Sequence, residues 1–433
     1  MTEGSPTNAA SPPQPLSTGR VGAILGLLFI VNVFNFLDRQ LPFILAESIK
    51  KDLNLSDTQI GLLGGVAFAV VYSTLALPLA KLADRWSAKW VIIGSLSVWS
   101  ALTAAGGAAQ NFAQLVATRM GVAAGEAGST PAAHAIISTT VPEERRGLAI
   151  GLFSMGVSVG GMLGLALGGV LHDAFGWRAT MIMVGLPGLA FALLLVLVLP
   201  NSRPAVASTG PAPSFVDSAR ALFAKKSYRH LCFGVTAFGV GTYAAYTFTA
   251  PFMIRTYDMT ATEVGLWLGI SNGIAGVAGA LGGGWLSDRV AKNHPSRVLW
   301  LPAAAFALSV PLIILGYTAP TAALSIALLL PVKTAGVFYL APSFRVGQAL
   351  AGTQSRAISS AILLFGLSLV GASLGPVLTG VISDALAPRF GERALGYALC
   401  VAAVFMAWAV VHLVIASRAL PQDLARMQAA EGA

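Results

Sequence analysis

Five ionisable side chains interrupt long apolar stretches of this sequence and are its candidates for chemistry. They are Asp38, Arg39, Arg119, Glu126 and Lys333. If the stretches lie in a lipid bilayer, an unpaired charge at the bilayer centre costs about 2.5 to 3.5 kcal/mol on insertion scales. We therefore expect these side chains to pair with one another or to face a water-filled cavity.

The spacing of four of these residues predicts a shared site. Arg119 and Glu126 are seven residues apart. Seven residues are two turns of a helix, so both side chains lie on one face, about 10 Å apart. Asp38 and Arg119 lie at similar distances from the ends of their apolar stretches, so their depths match. The pattern predicts a column of alternating charge between the two helices.

A carboxylate beside a guanidinium in an apolar environment can act as a proton-dependent switch. Burial favours the neutral acid and a nearby guanidinium favours the carboxylate, so movement of the guanidinium changes the affinity for a proton. We expect Asp38 and Glu126 to be the protonatable groups, and Arg39 or Arg119 to be the cation that competes with the proton. The alternative is a static ion-pair lock between the two helices.

Lys333 lies in the middle of a different apolar stretch, between Pro331 and Thr334. An unpaired buried ammonium is costly, so we expect Lys333 to face a cavity in which an anionic group of a ligand neutralises it. The alternatives are a neutral lysine and a pair with Glu126 across the cavity.

Aromatic and hydroxyl side chains cluster in the stretch 229–254. Tyr243, Tyr246 and Thr247 would give an amphiphile a path of ring faces and hydroxyls. Ordinary helix packing is the alternative explanation for these side chains.

The composition excludes a water-soluble globule. Of the 433 residues, 55% are apolar and only 10% are charged, and the mean hydropathy is +0.74. Soluble proteins carry about 25% charged residues. The surroundings of most of this chain must therefore be lipid, and we expect an all-α integral membrane protein.

Several function classes lose support from the sequence. The two cysteines lie in apolar runs, which argues against a disulfide framework and a Cys/His metal site. The Gly-x-Ser-x-Gly pattern occurs only inside predicted apolar helices, at 156–160, 269–273 and 371–375, where no strand precedes it to form an elbow, and a His/Glu zinc motif and a Walker motif are absent from the sequence. We expect no catalytic residues, no metal and no cofactor, so the protein is not expected to be an enzyme. An intramembrane enzyme or a receptor remains the alternative of another class.

Twelve apolar runs have the length of about 20 residues that crosses a bilayer as a helix. Their predicted bounds are 20–46, 58–80, 89–109, 112–139, 147–170, 177–199, 229–254, 262–286, 297–317, 320–342, 355–383 and 394–417. Most of the 27 Lys and Arg residues fall in the connections on one side. The positive-inside rule then places both termini in the cytoplasm. This topology also accounts for the net charge of +9 without nucleic acid.

The sequence predicts two six-helix bundles related by an internal repeat. We expect a polar cytoplasmic tail, a bundle, a cytoplasmic linker, a second bundle and a second tail, with bounds 1–19, 20–199, 200–228, 229–418 and 419–433. Asp84 and Arg85 recur as Asp288 and Arg289, 204 residues later. Rows of small residues in the fifth and eleventh runs predict helices whose backbones approach closely. These are Gly156, Gly160, Gly161, Gly164, Gly168 and Gly169, then Gly371, Gly375 and Gly380.

Two parallel six-helix repeats joined by a cytoplasmic linker resemble the major facilitator superfamily. The Asp84-Arg85 pair is similar to that superfamily's signature between helices 2 and 3, although Ala80 and Ser87 replace its two glycines. The resemblance implies alternating access. It also implies a cytoplasmic gate of charged residues that latches the outward-facing state, formed by Asp84, Arg85, Asp288 and Arg289.

A narrower resemblance covers most of the first half. The matching segments are Asn35 to Arg39, Arg119, Gly125 to Ala127, Pro131, Pro142, Arg145, Gly176 to Arg178 and Gly185 to Gly188. They resemble the spinster family, whose members export sphingosine-1-phosphate or lysophospholipids.

The spinster resemblance implies an amphiphilic, lipid-like substrate, and with the proton-dependent switch expected at Asp38 and Glu126 the sequence predicts a proton-coupled transporter of such a molecule. The expected partners are this substrate, protons and membrane lipids, with no nucleic acid, and the protein is expected to be a monomer in a bacterial inner membrane. A transporter of a drug, a sugar or an organic anion is the alternative.

Overall fold

The computed structural model describes residues 18–200, 214–352 and 355–431, and these residues form helices with no strand among them. The helices before the central connection are α1 Thr18–Ile44, α2 Ala46–Asp52, α3 Asp57–Gly64, α4 Val66–Leu82, α5 Ala88–Gly106, α6 Phe112–Glu126, α7 Ser129–Thr140 and α8 Glu143–Val198. We call this part the N-half.

The second part, which we call the C-half, contains ten helices within the described ranges. They are α9 Phe215–Ala224, α10 Lys226–Tyr257, α11 Ala261–Asn293, α12 Trp300–Tyr317, α13 Ala322–Phe338, α14 Leu340–Ala351, α15 Arg356–Phe365, α16 Gly371–Phe390, α17 Ala394–Leu399 and α18 Val401–Glu431. Single turns of 3-10 or π geometry join some of them, at Ala83–Ser87, Pro295–Arg297, Gly366–Val370 and Gly391–Arg393.

Among the described residues, eight helical segments are long and apolar enough to cross a membrane. Three of them, with 50, 56 and 72 residues, greatly exceed the length of about 20 residues that one crossing needs. The segment of 56 residues is interrupted at Gly176, whose φ of +79° and ψ of 166° lie outside the helical region. These three segments can each hold two crossings, and the count of twelve stays a prediction.

Parts of the predicted linker and of the predicted second tail are helical. Within the predicted linker, residues 201–213 lie outside the described residues, but α9 follows at once and buries Leu222 against its neighbours. The predicted tail after residue 418 continues α18, because the Asp423 carboxylate accepts hydrogen bonds from the backbone N–H and the hydroxyl of Ser227, at 2.8 and 2.6 Å. The predicted first tail, residues 1–19, lies outside the described residues up to residue 17.

The glycine rows bring helices into backbone contact, as the sequence predicted. In the N-half, a β-carbon at Gly160 would overlap the carbonyl oxygen of Val33, so α8 packs directly on α1. In the C-half, a β-carbon at Gly375 would overlap the carbonyl oxygen of Val240, so α16 packs on α10 in the same way. Only glycine permits this approach at these positions.

The two halves meet at one end of the bundle and part at the other. We call the end near Val198 and Phe215 the linker end, and the end near Asp57 and Arg255 the distal end. Close contacts between the halves join α3 to α16 and α8 to α11. Helices α7, α14 and α15, at the linker end, make at most sparse contact with the opposite half. The structure is therefore closed at the distal end and open toward the linker end.

Candidate functional site

A cluster of four charged residues lies inside the N-half, and we call it the charge cluster: Asp38 and Arg39 on α1, Arg119 and Glu126 on α6. The Nε of Arg39 donates a hydrogen bond to the Oε2 of Glu126 at 2.6 Å. The Glu126 side chain is fully buried, whereas the Arg39 side chain is 22% exposed. The structure thus selects Arg39, of the two candidate cations, as the partner of Glu126.

Aromatic rings of α1 and α4 surround the Arg39 guanidinium. Its central carbon lies 4.8 Å from the ring centre of Phe36, 5.1 Å from Phe68 and 4.7 Å from Tyr72. The central carbon of Arg119 lies 5.2 Å from the Phe68 ring. Rings at these distances attract a cation through their electron-rich faces. The sequence analysis missed Phe68 and Tyr72, since aromatic residues in an apolar stretch look like ordinary packing.

Asp38 and Arg119 complete the cluster without forming an ion pair of their own. The Asp38 Oδ2 accepts a hydrogen bond from the Thr103 hydroxyl at 3.2 Å, and Asp38 is 3% exposed. Arg119 is 4% exposed and lies close enough to Asp38 and Glu126 for their charges to interact. With two carboxylates and two guanidinium groups, the cluster can be electrically neutral.

Several buried polar atoms of this cluster have unused hydrogen-bonding capacity. Among the described residues, the Oε1 of Glu126, the Oδ1 of Asp38 and the Nε of Arg119 have no hydrogen-bond partner. The side-chain amide of Asn35 lies beside Glu126, close enough to engage that carboxyl. A buried polar atom without a partner costs about 1 to 3 kcal/mol. The Glu126 carboxyl therefore offers an oxygen to a proton or to the Asn35 amide.

The charge cluster adjoins a contact between the two halves. Gln40, next to Arg39 in the chain, donates a hydrogen bond to the Tyr246 hydroxyl of α10. The Tyr246 ring also packs edge-on against Phe43, with ring centres 4.9 Å apart, and Tyr243 lies 6.3 Å from Tyr246. Of the residues expected to line a path, the structure therefore brings Tyr246 into contact with the N-half, whereas Tyr243 lies beside Tyr246 on the same helix.

Thr247 occupies a tighter position than its neighbours. It is 1% exposed, and a β-carbon at Gly64 would lie 3.1 Å from its methyl group. Its hydroxyl has no hydrogen-bond partner among the described residues. Thr247 thus packs against α3 at the boundary between the halves.

Lys333 lies apart from the charge cluster, inside the C-half. Its Nζ donates a hydrogen bond to the Oδ1 of Asn272 at 2.9 Å. It borders a small packing gap between side chains, which Thr249 and Ser271 also line. Within the described ranges no carboxylate lies within 4.0 Å of Lys333, and Glu126 is paired with Arg39.

The four expected gate residues lie at the linker end and do not connect the halves in this structure. Asp84 and Arg85 are exposed and form no ion pair with any described residue. Asp288 pairs with Arg345 of its own half. The Arg289 guanidinium lies 5.6 Å from the Trp285 ring centre.

A second charged network, which the sequence analysis missed, joins the halves at the distal end. Arg255 of α10 donates hydrogen bonds to Glu47 of α2 and Asp57 of α3, the shortest at 2.8 Å for each. Lys50 also contacts Asp57, at 2.5 Å. These residues lie at helix ends, where charged residues are common, so only their pairing across the halves distinguishes them.

For the residues that the structure describes, no group of three or more His, Cys, Asp or Glu side chains is placed to hold a metal ion.

Comparison with known sequences identifies relatives over nearly the whole chain. The sequence model of the Major Facilitator Superfamily matches residues 28–376. An MFS-type efflux pump of Mycolicibacterium smegmatis is 35% identical over 405 residues, covering 92% of this chain and 93% of the relative. Protein spinster homolog 3 of Danio rerio is 31% identical over 265 residues, which are 59% of this chain and 53% of that protein.

Solved structures resemble the whole fold. A bacterial homolog of the human lysosomal transporter Spinster, crystallised in an inward-facing and unoccupied conformation, superposes with a TM-score of 0.86 at 28% identity, covering 94% of this chain and 99% of that one. Its inward-facing and occupied form gives a TM-score of 0.78. Given the family match, the full-length relative and the shared helical architecture, the chain belongs to the Major Facilitator Superfamily and is an integral membrane transporter of spinster-like structure.

Proposed function

We propose that the chain is a proton-coupled secondary transporter that moves an amphiphilic, lipid-like molecule by alternating access. The observation that carries this proposal is the buried ion pair between Arg39 and Glu126, with Asp38 beside it. A buried ion pair of this kind is expensive to maintain for stability alone, because desolvation of both charges offsets much of their attraction. A proton-coupled role gives a reason for placing it here.

The coupling follows from competition at Glu126. A proton that binds Glu126 removes its charge and with it the attraction for Arg39. The guanidinium is then free to shift among the aromatic side chains of Phe36, Phe68 and Tyr72. Each of these rings can attract the cation through its electron-rich face. Because α1 also contacts α10 through Gln40, a displacement of Arg39 acts next to the boundary between the halves. An ion pair that only holds the two helices together would not need to gain and lose a proton during transport.

The substrate class follows from the chemistry of the residues proposed to line the path. Tyr243, Tyr246 and Thr247 offer ring faces and hydroxyls to an acyl or sphingoid chain. Lys333 holds a neutral amide, Asn272, rather than a carboxylate. A phosphate group could replace that amide and gain a full charge pair. A lysophospholipid or a sphingoid phosphate combines both features.

The remaining topology belongs to the same proposal. We propose twelve crossings in two six-helix bundles, and a monomer in a bacterial inner membrane. The termini and the linker lie in the cytoplasm in this topology, so the linker end lies inside the cell. The state described above is then inward-open. In the opposite, outward-facing state, Asp84, Arg85, Asp288 and Arg289 would come together as the cytoplasmic latch.

A second candidate function is export of a drug-like amphiphile. It is favoured by the relative from Mycolicibacterium smegmatis, which is an efflux pump and matches this chain over nearly its full length. The same charge cluster would drive either cargo. A sugar or an organic anion finds less support, because neither needs the apolar and aromatic lining.

The test is transport by the purified chain in lipid vesicles. Lysophospholipids, sphingoid phosphates, drugs and sugars are offered with and without a pH gradient, to wild type and to Glu126→Gln. Glu143→Gln, at the start of α8, is the matched control, since that side chain is exposed. We expect a lysolipid or sphingoid phosphate to be accumulated by wild type and the control only with the gradient, and not by Glu126→Gln. Full gradient-driven accumulation by Glu126→Gln would remove the cluster from the mechanism.

A further inference from the structure

Two contacts between the halves close the distal end, α3 with α16 and α11 with α8, and we call them seams. The two seams have the same arrangement of residues. At one seam, a β-carbon on Gly61 of α3 would overlap the carbonyl oxygen of Pro376 of α16. At the other, a β-carbon on Gly265 of α11 would overlap the carbonyl oxygen of Leu165 of α8. The two glycines are 204 residues apart, and the two carbonyls are 211 apart. The seams are therefore equivalent under the internal repeat.

Each seam also contains an aspartate that binds the start of a helix in the other half. Asp384 of α16 accepts the backbone N–H of Asp57 and of Thr58, both at 2.9 Å, and the Thr58 hydroxyl at 2.6 Å. Asp173 of α8 accepts the backbone N–H of Thr262 at 2.7 Å. Thr58 and Thr262 are again 204 residues apart, and the two aspartates 211.

The two recipient helices are capped within their own half in a way that leaves these N–H groups available. Helix α3 has a capping box in which Ser56 accepts the N–H of Gln59, and α11 has the same box with Thr260 and Glu263. Such a box satisfies the third N–H of the helix and leaves the first two without a partner. At α3 the aspartate of the opposite half accepts both of the N–H groups that the box leaves, and at α11 it accepts the second of them.

We propose that Asp384 and Asp173 are a matched pair of inter-half helix caps that set how strongly the distal end is held closed. Each carboxylate gains charge-assisted hydrogen bonds and a favourable position at the positive end of a helix. Both are lost when the halves part at that end, whereas the boxes inside each half persist. The two residues are thus positioning residues of the conformational cycle, independent of the substrate and of the charge cluster.

The geometry orders the two caps by strength. Asp384 accepts three hydrogen bonds from α3, two from backbone N–H groups and one from the Thr58 hydroxyl. Asp173 accepts one backbone N–H from α11. The other oxygen of Asp173 is engaged by His172 of its own half, at 2.9 Å. The loss of Asp384 is therefore expected to shift the equilibrium further than the loss of Asp173.

The experiment measures the width of the distal end in lipid nanodiscs by pulsed electron paramagnetic resonance. Spin labels are placed at Gln110→Cys and Glu392→Cys, which are exposed in opposite halves, after Cys232 and Cys400 are replaced by alanine. For Asp384→Ala, which removes the acceptor of three hydrogen bonds, we expect the ratio of open to closed distances to rise by at least about tenfold, the effect of losing one charge-assisted hydrogen bond. Asp173→Ala should give a smaller rise in the same direction.

The double variant and a matched control decide the proposal. Since the two caps share no partner, their effects on the logarithm of the ratio should add. The control, Glu263→Ala, removes the carboxylate that accepts the Thr260 N–H within the same half, leaves the Thr260 cap in place, and should leave the ratio unchanged. An unchanged ratio in the folded double variant, or an equal shift in the control, would overturn the proposal. If an alanine variant does not fold, asparagine at both positions, which lacks the charge, should still raise the ratio, and an unchanged ratio would overturn it.

Discussion

Arg255→Met should loosen the distal end by removing the cation that bridges the halves there. The Arg255 side chain is 14% exposed and contacts Glu47 and Asp57, whose side chains are 6% and 3% exposed. Without the guanidinium, two nearly buried carboxylates of the N-half lose the cation that α10 of the C-half supplies to them. Opening the distal end gives both of them access to water, so the variant destabilises the closed state relative to the open one.

The size of the effect follows from what remains bound to each carboxylate. Removing one partner of a buried ion pair costs about 3 to 5 kcal/mol. Here Asp57 keeps Lys50 at 2.5 Å and the Ser383 hydroxyl at 2.6 Å, and Glu47 keeps Lys51 at 3.7 Å. We therefore expect a smaller shift of about 2 kcal/mol, which is about thirtyfold in the ratio of open to closed molecules.

Distances between spin labels at Gln110→Cys and Glu392→Cys report this ratio directly. The matched control is Lys51→Gln, which removes the other cation near Glu47. The Lys51 side chain is 73% exposed, and an exposed pair contributes about 0 to 1 kcal/mol. Equal distance distributions for wild type and Arg255→Met would refute the reasoning, as would a control shift as large as that of Arg255→Met.

Three further predictions concern the path, the boundary between the halves and the linker end. Lys333→Ala should weaken binding of an anionic amphiphile at least tenfold in a calorimetric titration of the folded protein, whereas the exposed Lys292→Ala should not. Gln40→Leu and Tyr246→Phe should each change transport, and a double-mutant cycle should show coupling of about 0.5 to 1.5 kcal/mol between them; additive effects would contradict the contact. Asp84→Asn should shift the conformational equilibrium toward the form open at the linker end without changing substrate affinity, and unchanged labelling of cysteines in the cavity would count against this.

The helices and the charge cluster could be predicted from the sequence because both follow from the cost of polar groups in lipid. That cost enforces long apolar runs and makes each interruption informative, so Asp38, Arg39 and Glu126 stood out. The glycine rows were predictable for a similar reason, since repeated small residues serve close packing. The choice of Arg39 over Arg119 as the partner of Glu126 needed coordinates, because helix rotation decides it.

The contacts between the halves could not be predicted, because their residues look ordinary in sequence. Asp57, Arg255 and Asp384 stand at helix ends, where charged residues usually meet water. Their role depends on which helix of the other half lies opposite. Helix α9 and the extension of α18 were missed because their polar faces resemble those of flexible connections, although Leu222 and Asp423 find partners in the C-half.

The central claim is that Glu126 carries the proton that couples to substrate movement. Vesicles that contain the purified protein and a trapped pH-sensitive dye report proton movement when the transported amphiphile is added, and radiolabelled amphiphile reports its flux in the same preparation. Wild type should move protons in fixed proportion to substrate, and Glu126→Gln should move none. Proton movement by Glu126→Gln in the same proportion as wild type would contradict it.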